Sequence, residues 1–507
     1  MNDDVRLRAI CALTMARARD EAGRHEYDGV VQDLSPDGVR RGLAALGPGG
    51  DPTGDWHDAA QLAAAEDALR VRFGELQLHR SDPDIHIANL DPSCYDRPYA
   101  AADDRAAARR AHVRAWPDAV DAAIEALDRL PGEVATSALG AARGLYAYAD
   151  EDRAARSALD RLVAHLQEAT GPLTPMGDTA LGRLLGAAEA LPVNLTALAA
   201  RADADIEYWT DRLVDACLRV DAHAPVHKTM EALLDDHPDA GGVVPLATEL
   251  VDEVRRWTAE RDLVPYDDGE CLVGETPLTM RWQVATMSGA APEEPDGPSW
   301  FRVSPPDPAW SVPRQQQWLS QYHRAGLANI AIHEVSPGHF AHGRARRRAA
   351  TVVRRTLVSD GFTEGWGHYA EQLALEEGFR ADDPAYEVAV ARDALLRLTR
   401  LACVIGLHTG AMTLTDATHR FATDAYLGDQ AAVVAAQRVM RDPTTISYAW
   451  GRLVLLDLRE QARRRWGAAF SLRRFHRAVL ELGAPPLGLL DTVFALAREG
   501  RAPGERA

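Results

Sequence analysis

The chain has 507 residues, 46% apolar and 26% charged, an ordinary globular balance that excludes a disordered protein. With 56 basic against 75 acidic residues its formal charge is −19, which excludes nucleic acid as the main partner, because phosphate recognition needs a basic surface. Length suggests two or three domains or one large helical enzyme.

The N-terminus, MNDDVRLRAICALTMARARDE, lacks the apolar stretch of a secretion signal. Cys11, Cys94, Cys217, Cys271 and Cys403 are scattered, odd in number and form no C-x-x-C pair, so neither a disulfide framework nor a thiolate zinc site is expected. No apolar run reaches the about 18 residues of a transmembrane helix. These features together predict a cytoplasmic protein without a membrane partner.

Glycine, proline and aspartate make 33–55 a loop around a short helix. Apolar residues at three- and four-residue spacings predict helices over 58–76, 102–130, 137–170 and 205–220. The clearest strand signal is PSWFRV at 298–303. Seven prolines in 292–313 forbid a helix there, and Trp300, Phe301 and Trp310 predict that the segment packs onto the rest. It divides a helical region, 1–290, from a second helical region, 314–507, through a connecting segment at 291–313.

Residues 314–335 read as one helix, made apolar near its end by Ile330 and Ile332, and it leads into HEVSPGH at 333–339. His333 and Glu334 begin as a zinc-protease helix does, but the second histidine is two residues late, at His339. On an unbroken helix, positions six apart are rotated by about 600°, roughly 120° off one face. Pro337 disfavours helical geometry at Ser336, and Gly338 accepts unusual backbone angles. A turn there would return His339 to the side of His333.

Twenty-five residues on, FTEGWGHYAEQLALEEGF places Glu364, His368 and Glu371 at i, i+4 and i+7 of a helix that Thr363 could cap. Two histidines and a carboxylate are a common zinc-hydrolase ligand set, so His333, His339 and Glu364 are expected ligands. Glu334 is the expected general base. His368 and Glu371 are expected to orient a ligand or touch substrate. The donor set predicts one Zn²⁺ per chain, and Fe²⁺ or Mn²⁺ suits it as well. The same residues also describe buried histidines hydrogen-bonded to carboxylates.

The string His333-Glu-Val-Ser-Pro-Gly-His339, with Glu364-Gly-Trp-Gly-His-Tyr-Ala-Glu371 after it, resembles the bacterial "domain of unknown function 885" family. The likeness extends through 67–73, Gly406-Leu-His408, Ser447-Tyr448, Gly451, Arg459, Phe475-His476 and 483–487. The resemblance implies a mainly α, zincin-like fold, distantly akin to carboxypeptidase Taq, with a deep central cleft and little sheet. It implies His333, His339 and Glu364 as ligands, Glu334 as base, and Tyr448 as a donor to a developing oxyanion. His408 is a further candidate for substrate or oxyanion, and Arg452 and Arg459 for a substrate carboxylate. The chain departs from the family pattern at Phe340, at His368, at Val404, and in Pro443-Thr-Thr-Ile-Ser-Tyr448, which lacks the usual glycine and glutamine.

The expected function is zinc-dependent hydrolysis of amide or peptide bonds in short peptides or small acylated compounds. The departures around the ligands motivate a second expectation, a metal-dependent tailoring enzyme of small-molecule biosynthesis. A third is a non-catalytic helical binding protein. A small peptide or small molecule is the expected partner in the first two cases.

Overall fold

Alanine- and leucine-rich repeats of helical period fold as helices through most of the computed structural model, which describes residues 2–47, 55–149, 152–277, 280–281, 283–294 and 297–496. The short helix expected within 33–55 is Pro36–Ala45, capped by the Ser35 side chain; residues 48–54 of that segment lie outside the described residues. The 58–76 pattern forms Trp56–Leu69, capped by Asp55, and continues as a six-residue π segment, Arg70–Glu75.

Two long patterns are interrupted. The 102–130 stretch is two helices, Ala102–Arg114 and Trp116–Ala126, the second opening with Pro117, which suits a first turn because its missing amide has no partner there anyway. The 137–170 stretch divides into Gly132–Gly144 and Arg153–Glu168, the latter restarted by Asp152, whose carboxylate accepts from the amides of Ala154 and Ala155. These helices enclose a core of their own around Trp116, Val120, Leu145, Leu159 and Leu162. A second satellite core gathers Leu7, Ile10, Leu62 and Phe73.

The principal core draws residues from both sides of the proline-rich segment, from Leu181 to Phe494. Helix Leu195–Val220, for example, lies along Pro384–His408. The expected strand is the middle of a three-stranded sheet: β1 (Cys271–Glu275) runs parallel to β3 (Ser299–Val303), and β2 (Ala285–Ser288) antiparallel to it. Phe301 and Val303 point into the core, and Trp310 packs edge-on against Trp318 at 5.5 Å. Pro295, in the same segment, lies outside the described residues.

The single helix expected at 314–335 is two, Val312–Leu319 and Arg324–Glu334. His323 breaks it: its ring Nδ1 accepts from the Gly326 amide at 3.2 Å, a local bond that competes with continuing the helix. His339–Arg346, Asp360–Glu376, Pro384–His408, Asp429–Arg441 and Ser447–Trp466 follow. Ser359, not Thr363, caps Asp360–Glu376, by accepting from the Phe362 amide. No described helix is long and apolar enough to cross a membrane, and all five cysteines are unpaired.

Helices Asp360–Glu376 and Ser447–Trp466 cross with their backbones in contact. A Cβ on Gly451 would lie 1.9 Å from the Gly361 carbonyl, and one on Gly365 would lie 2.5 Å from the Gly451 Cα. We therefore expect Gly451→Ala to lower unfolding stability by about 3 kcal/mol or more. Gly343→Ala, on a helix with open space at that position, should be neutral or stabilising by up to about 1 kcal/mol. Urea unfolding of the two variants checks this; a harmless Gly451→Ala would mean that the helices do not touch.

Candidate metal centre

The helix carrying His333 ends at Glu334, and Val335 leaves helical geometry with ψ −88°. After a cis Ser336–Pro337 peptide, Gly338 (φ −74°, ψ −133°) starts a new helix at His339. Gly338 passes so close to the preceding helix that a Cβ there would sit 1.9 Å from the His333 carbonyl oxygen and 2.4 Å from that of Ile332. Trp366 holds the turn from outside: its indole Nε1 donates to the Pro337 carbonyl at 2.9 Å.

This turn brings the two imidazoles together. Their ring centroids are 4.7 Å apart and nearly perpendicular, at 86°. Glu364, reaching in from Asp360–Glu376, completes the group: its Oε2 is 3.6 Å from Nε2 of His333 and 3.7 Å from Nε2 of His339. Donors about 2.0–2.1 Å from a tetrahedral zinc stand about 3.3–3.4 Å apart, and these two separations exceed that by only a few tenths of an ångström. Glu334 is also near, with a carboxylate oxygen within 4.8 Å of ligand atoms of both histidines. Glu364 is the better-placed candidate for third ligand, because one of its oxygens is almost equidistant from both nitrogens and within 4 Å of each, and Glu334 is the neighbouring carboxylate. Nδ1 of His339 is buried without a hydrogen-bond partner among the described residues.

Behind His333 stands Glu371. Its Oε1 accepts from His333 Nδ1 at 2.5 Å, which leaves Nε2 facing Glu364. Its Oε2 accepts from Asn329 Nδ2 at 2.9 Å and from Arg397 at 2.6 Å. A carboxylate that fixes the tautomer of a ligand histidine raises its basicity toward a metal. Burial alone would lower the His333 pKa, but hydrogen bonds to Glu364 and Glu371 raise it to about 10. Burial likewise opposes ionisation of Glu364, and its hydrogen bonds to His333 and His339 outweigh it, holding the carboxyl far below its ordinary range. A divalent ion bound at Nε2 would take the place of the proton that these carboxylates favour.

The structure sorts the other sequence candidates. Tyr448 belongs to the site: its ring lies 6.2 Å from that of His333, inclined by 22°. The charge of Glu364, and then burial, keep its phenol protonated well above the usual range. His368 is adjacent: Nδ1 donates to the Tyr448 carbonyl at 3.3 Å, and burial with the charge of Arg397 holds the ring neutral.

His408 is not brought to the centre. It lies eleven residues beyond Arg397 on one continuous helix, roughly 16 Å along its axis, and its ring nitrogens meet the Met176 amide and the Val439 carbonyl, each at 3.3 Å. Arg452 is buried and bonded to Gln372 and Asp205, and Arg459 to Glu376 and Tyr369, so neither side chain is free for a substrate.

Sequence reasoning missed Asn329, Trp366 and Arg397. Asn329 was open to discovery, one helical turn before His333 on the same face. Arg397 carried no local signal, since its partner Glu371 is 26 residues away on another helix.

Among known proteins, the family described as "Bacterial protein of unknown function (DUF885)" matches residues 20–493. No curated protein matches the sequence. Two solved structures share the fold, both with TM-score 0.76 and 17% identity. One is a candidate lipoprotein of unknown function from Shewanella oneidensis, aligned over 97% of this chain and 98% of its own. The other is a candidate lipoprotein from Colwellia psychrerythraea, aligned over 98% of each chain.

Metal analysis of purified protein by mass spectrometry tests the geometry. The parent should carry about one divalent ion per chain, and His339→Ala and Glu364→Ala should lose it. Glu371→Ala should bind about 10- to 100-fold more weakly, while Glu334→Gln should keep its metal. Loss from Glu334→Gln with retention by Glu364→Ala would reverse the roles of the two carboxylates.

Proposed function

This chain belongs to the bacterial DUF885 family of unknown function, and we propose that it is a zinc-dependent hydrolase of amide or peptide bonds in short peptides or small acylated compounds. The observation that supports this most is the convergence of His333, His339 and Glu364, with a second carboxylate, Glu334, beside them. Bound there, a zinc ion would polarise the scissile carbonyl and acidify a water.

Glu334 then takes the proton of the attacking water and returns it to the nitrogen of the leaving amine as the C–N bond breaks. Tyr448, held protonated, donates to the carbonyl oxygen as negative charge develops on it. Glu371 and Asn329 keep His333 in one orientation throughout. Substrate approaches over Glu364, whose side chain is 28% exposed, and we read the cleft of a zincin-like fold as that approach. We place the protein in a reducing compartment, because its five cysteines are unpaired; the lipoprotein description concerns the two structural relatives.

His368 favours a second reading. It is a departure from the family pattern, and it binds the backbone of Tyr448 directly. A change there moves the proposed oxyanion donor, which suits a tailoring enzyme acting on one small metabolite.

Turnover of a panel of N-acyl dipeptides by the zinc-loaded protein separates the readings. Glu334→Gln should lose about 10²- to 10⁴-fold in kcat with its metal retained. Tyr448→Phe should lose about 10²- to 10³-fold. Near-parental activity in Glu334→Gln would sink the mechanism, and inertness of the metal-loaded parent toward the whole panel would favour the tailoring enzyme.

A further inference from the structure

Three arginines gather around Tyr448. Arg397 and Arg400 are three residues apart on Pro384–His408 and so share a face. Arg438 comes from Asp429–Arg441, which packs against that helix. The Arg397 guanidinium carbon stands 5.6 Å from the centroid of the Tyr448 ring, which is itself 6.2 Å from the His333 ring. The charges of Arg400, Arg397 and Arg438 all act on the Tyr448 phenol.

Arg397 is paired with Glu371 at 2.6 Å. Arg400 and Arg438 are different. Both side chains are half-buried, yet among the described residues neither guanidinium has an ion-pair or hydrogen-bond partner. Asp393 acts on Arg400 only from beyond ion-pair distance, and its carboxylate accepts from Asn329 at 2.9 Å. Several arginines elsewhere are matched, Arg452 with Asp205, Arg459 with Glu376 and Arg380 with Glu253, whereas Arg392 and Arg441, half-buried too, have no ion-pair partner among the described residues. In a chain with a formal charge of −19, acidic partners are plentiful, and what sets Arg400 and Arg438 apart is that both unmatched charges act on Tyr448, beside the candidate metal centre. A guanidinium withdrawn from water without a counter-charge is costly, and an anionic group on a ligand would offset that cost.

We propose that Arg400 and Arg438, backed by Arg397, bind a carboxylate of the substrate. The inference rests on the hydrolase reading and narrows it to N-acyl amino acids and short peptides with a free carboxylate. The planar guanidinium fork matches a carboxylate in two parallel hydrogen bonds. The His333 ring, the Tyr448 ring and the Arg397 guanidinium stand at successive separations of 6.2 Å and 5.6 Å, and Arg400 lies about one helical turn beyond Arg397, so the bond cut lies within a few extended residues of the carboxylate. The anion site is thus built from arginines other than Arg452 and Arg459, the two that the sequence suggested.

The test uses binding rather than turnover. Straight-chain hydroxamic acids ending in a carboxylate, with about two to six methylenes between the groups, are titrated by calorimetry into the zinc-loaded protein beside their methyl esters. At the best chain length the acid should bind about tenfold or more tightly than the ester. Arg400→Gln and Arg438→Gln should each remove that preference, with ester affinity, metal content and Tm unchanged. Equal binding of acid and ester by the parent, a preference that survives both substitutions, or no binding of either compound overturns the proposal. So does a phosphonate-ended chain that binds more tightly than the carboxylate through the same arginines. An acid preference lost in both variants of a protein that hydrolyses no amide keeps the carboxylate site and removes the hydrolase reading, so the two fail separately.

Discussion

An α-helix cannot present residues six apart to one ion, and the candidate centre follows from how this chain escapes that limit. The helix stops at Glu334, the backbone reverses through Ser336–Pro337–Gly338, and a new helix starts on His339 itself. The reversal requires a residue without a side chain at Gly338, where the chain nearly touches the carbonyl of His333. Its outer side is held by the indole of Trp366. Trp366 is two residues from Glu364, so one helix supplies the third donor and secures the turn that positions the second.

Charge links that helix to the next. Glu371 is fully buried, and both its oxygens are used by three donors: His333, Asn329 and Arg397. A buried carboxylate is tolerable when its lone pairs are satisfied in this way. Arg397 extends the chain of contacts to the face of Tyr448, so the network that orients His333, a candidate metal ligand, also sets the electrostatics around the proposed oxyanion donor. The neighbouring Arg400 and Arg438 continue this run of positive charge without ion-pair partners among the described residues.

Close approach supplies the remaining precision. Gly361, Gly365 and Gly451 let the Glu364 and Tyr448 helices touch along their backbones, which brings the start of Ser447–Trp466 to His333 and Glu364. Gly367 leaves room for the His333 ring, since a Cβ there would stand 2.6 Å from its Cε1. The glycines of E-G-W-G therefore serve packing on two faces, one toward the neighbouring helix and one toward a ligand.

Much of this was legible in the sequence. Apolar spacing predicts a mainly helical chain, and proline with glycine after His333 predicts the broken helix, because both effects act within a few residues. The residue types and spacings of His333, His339, Glu364 and Glu371 pick out side chains that the structure gathers in one place. What sequence could not decide was which distant partners these groups meet. Sequence, through the family resemblance, offered His408, Arg452 and Arg459 as candidates besides Tyr448, and packing then turned them toward Val439, Asp205 and Glu376. It also hid the His323 break, the two short strands beside β3, and Arg397 behind Glu371. The period of a helix is a local property and appears in consecutive residues. The choice of counter-charge is made by helices packed side by side from segments tens of residues apart, and only the tertiary structure records it.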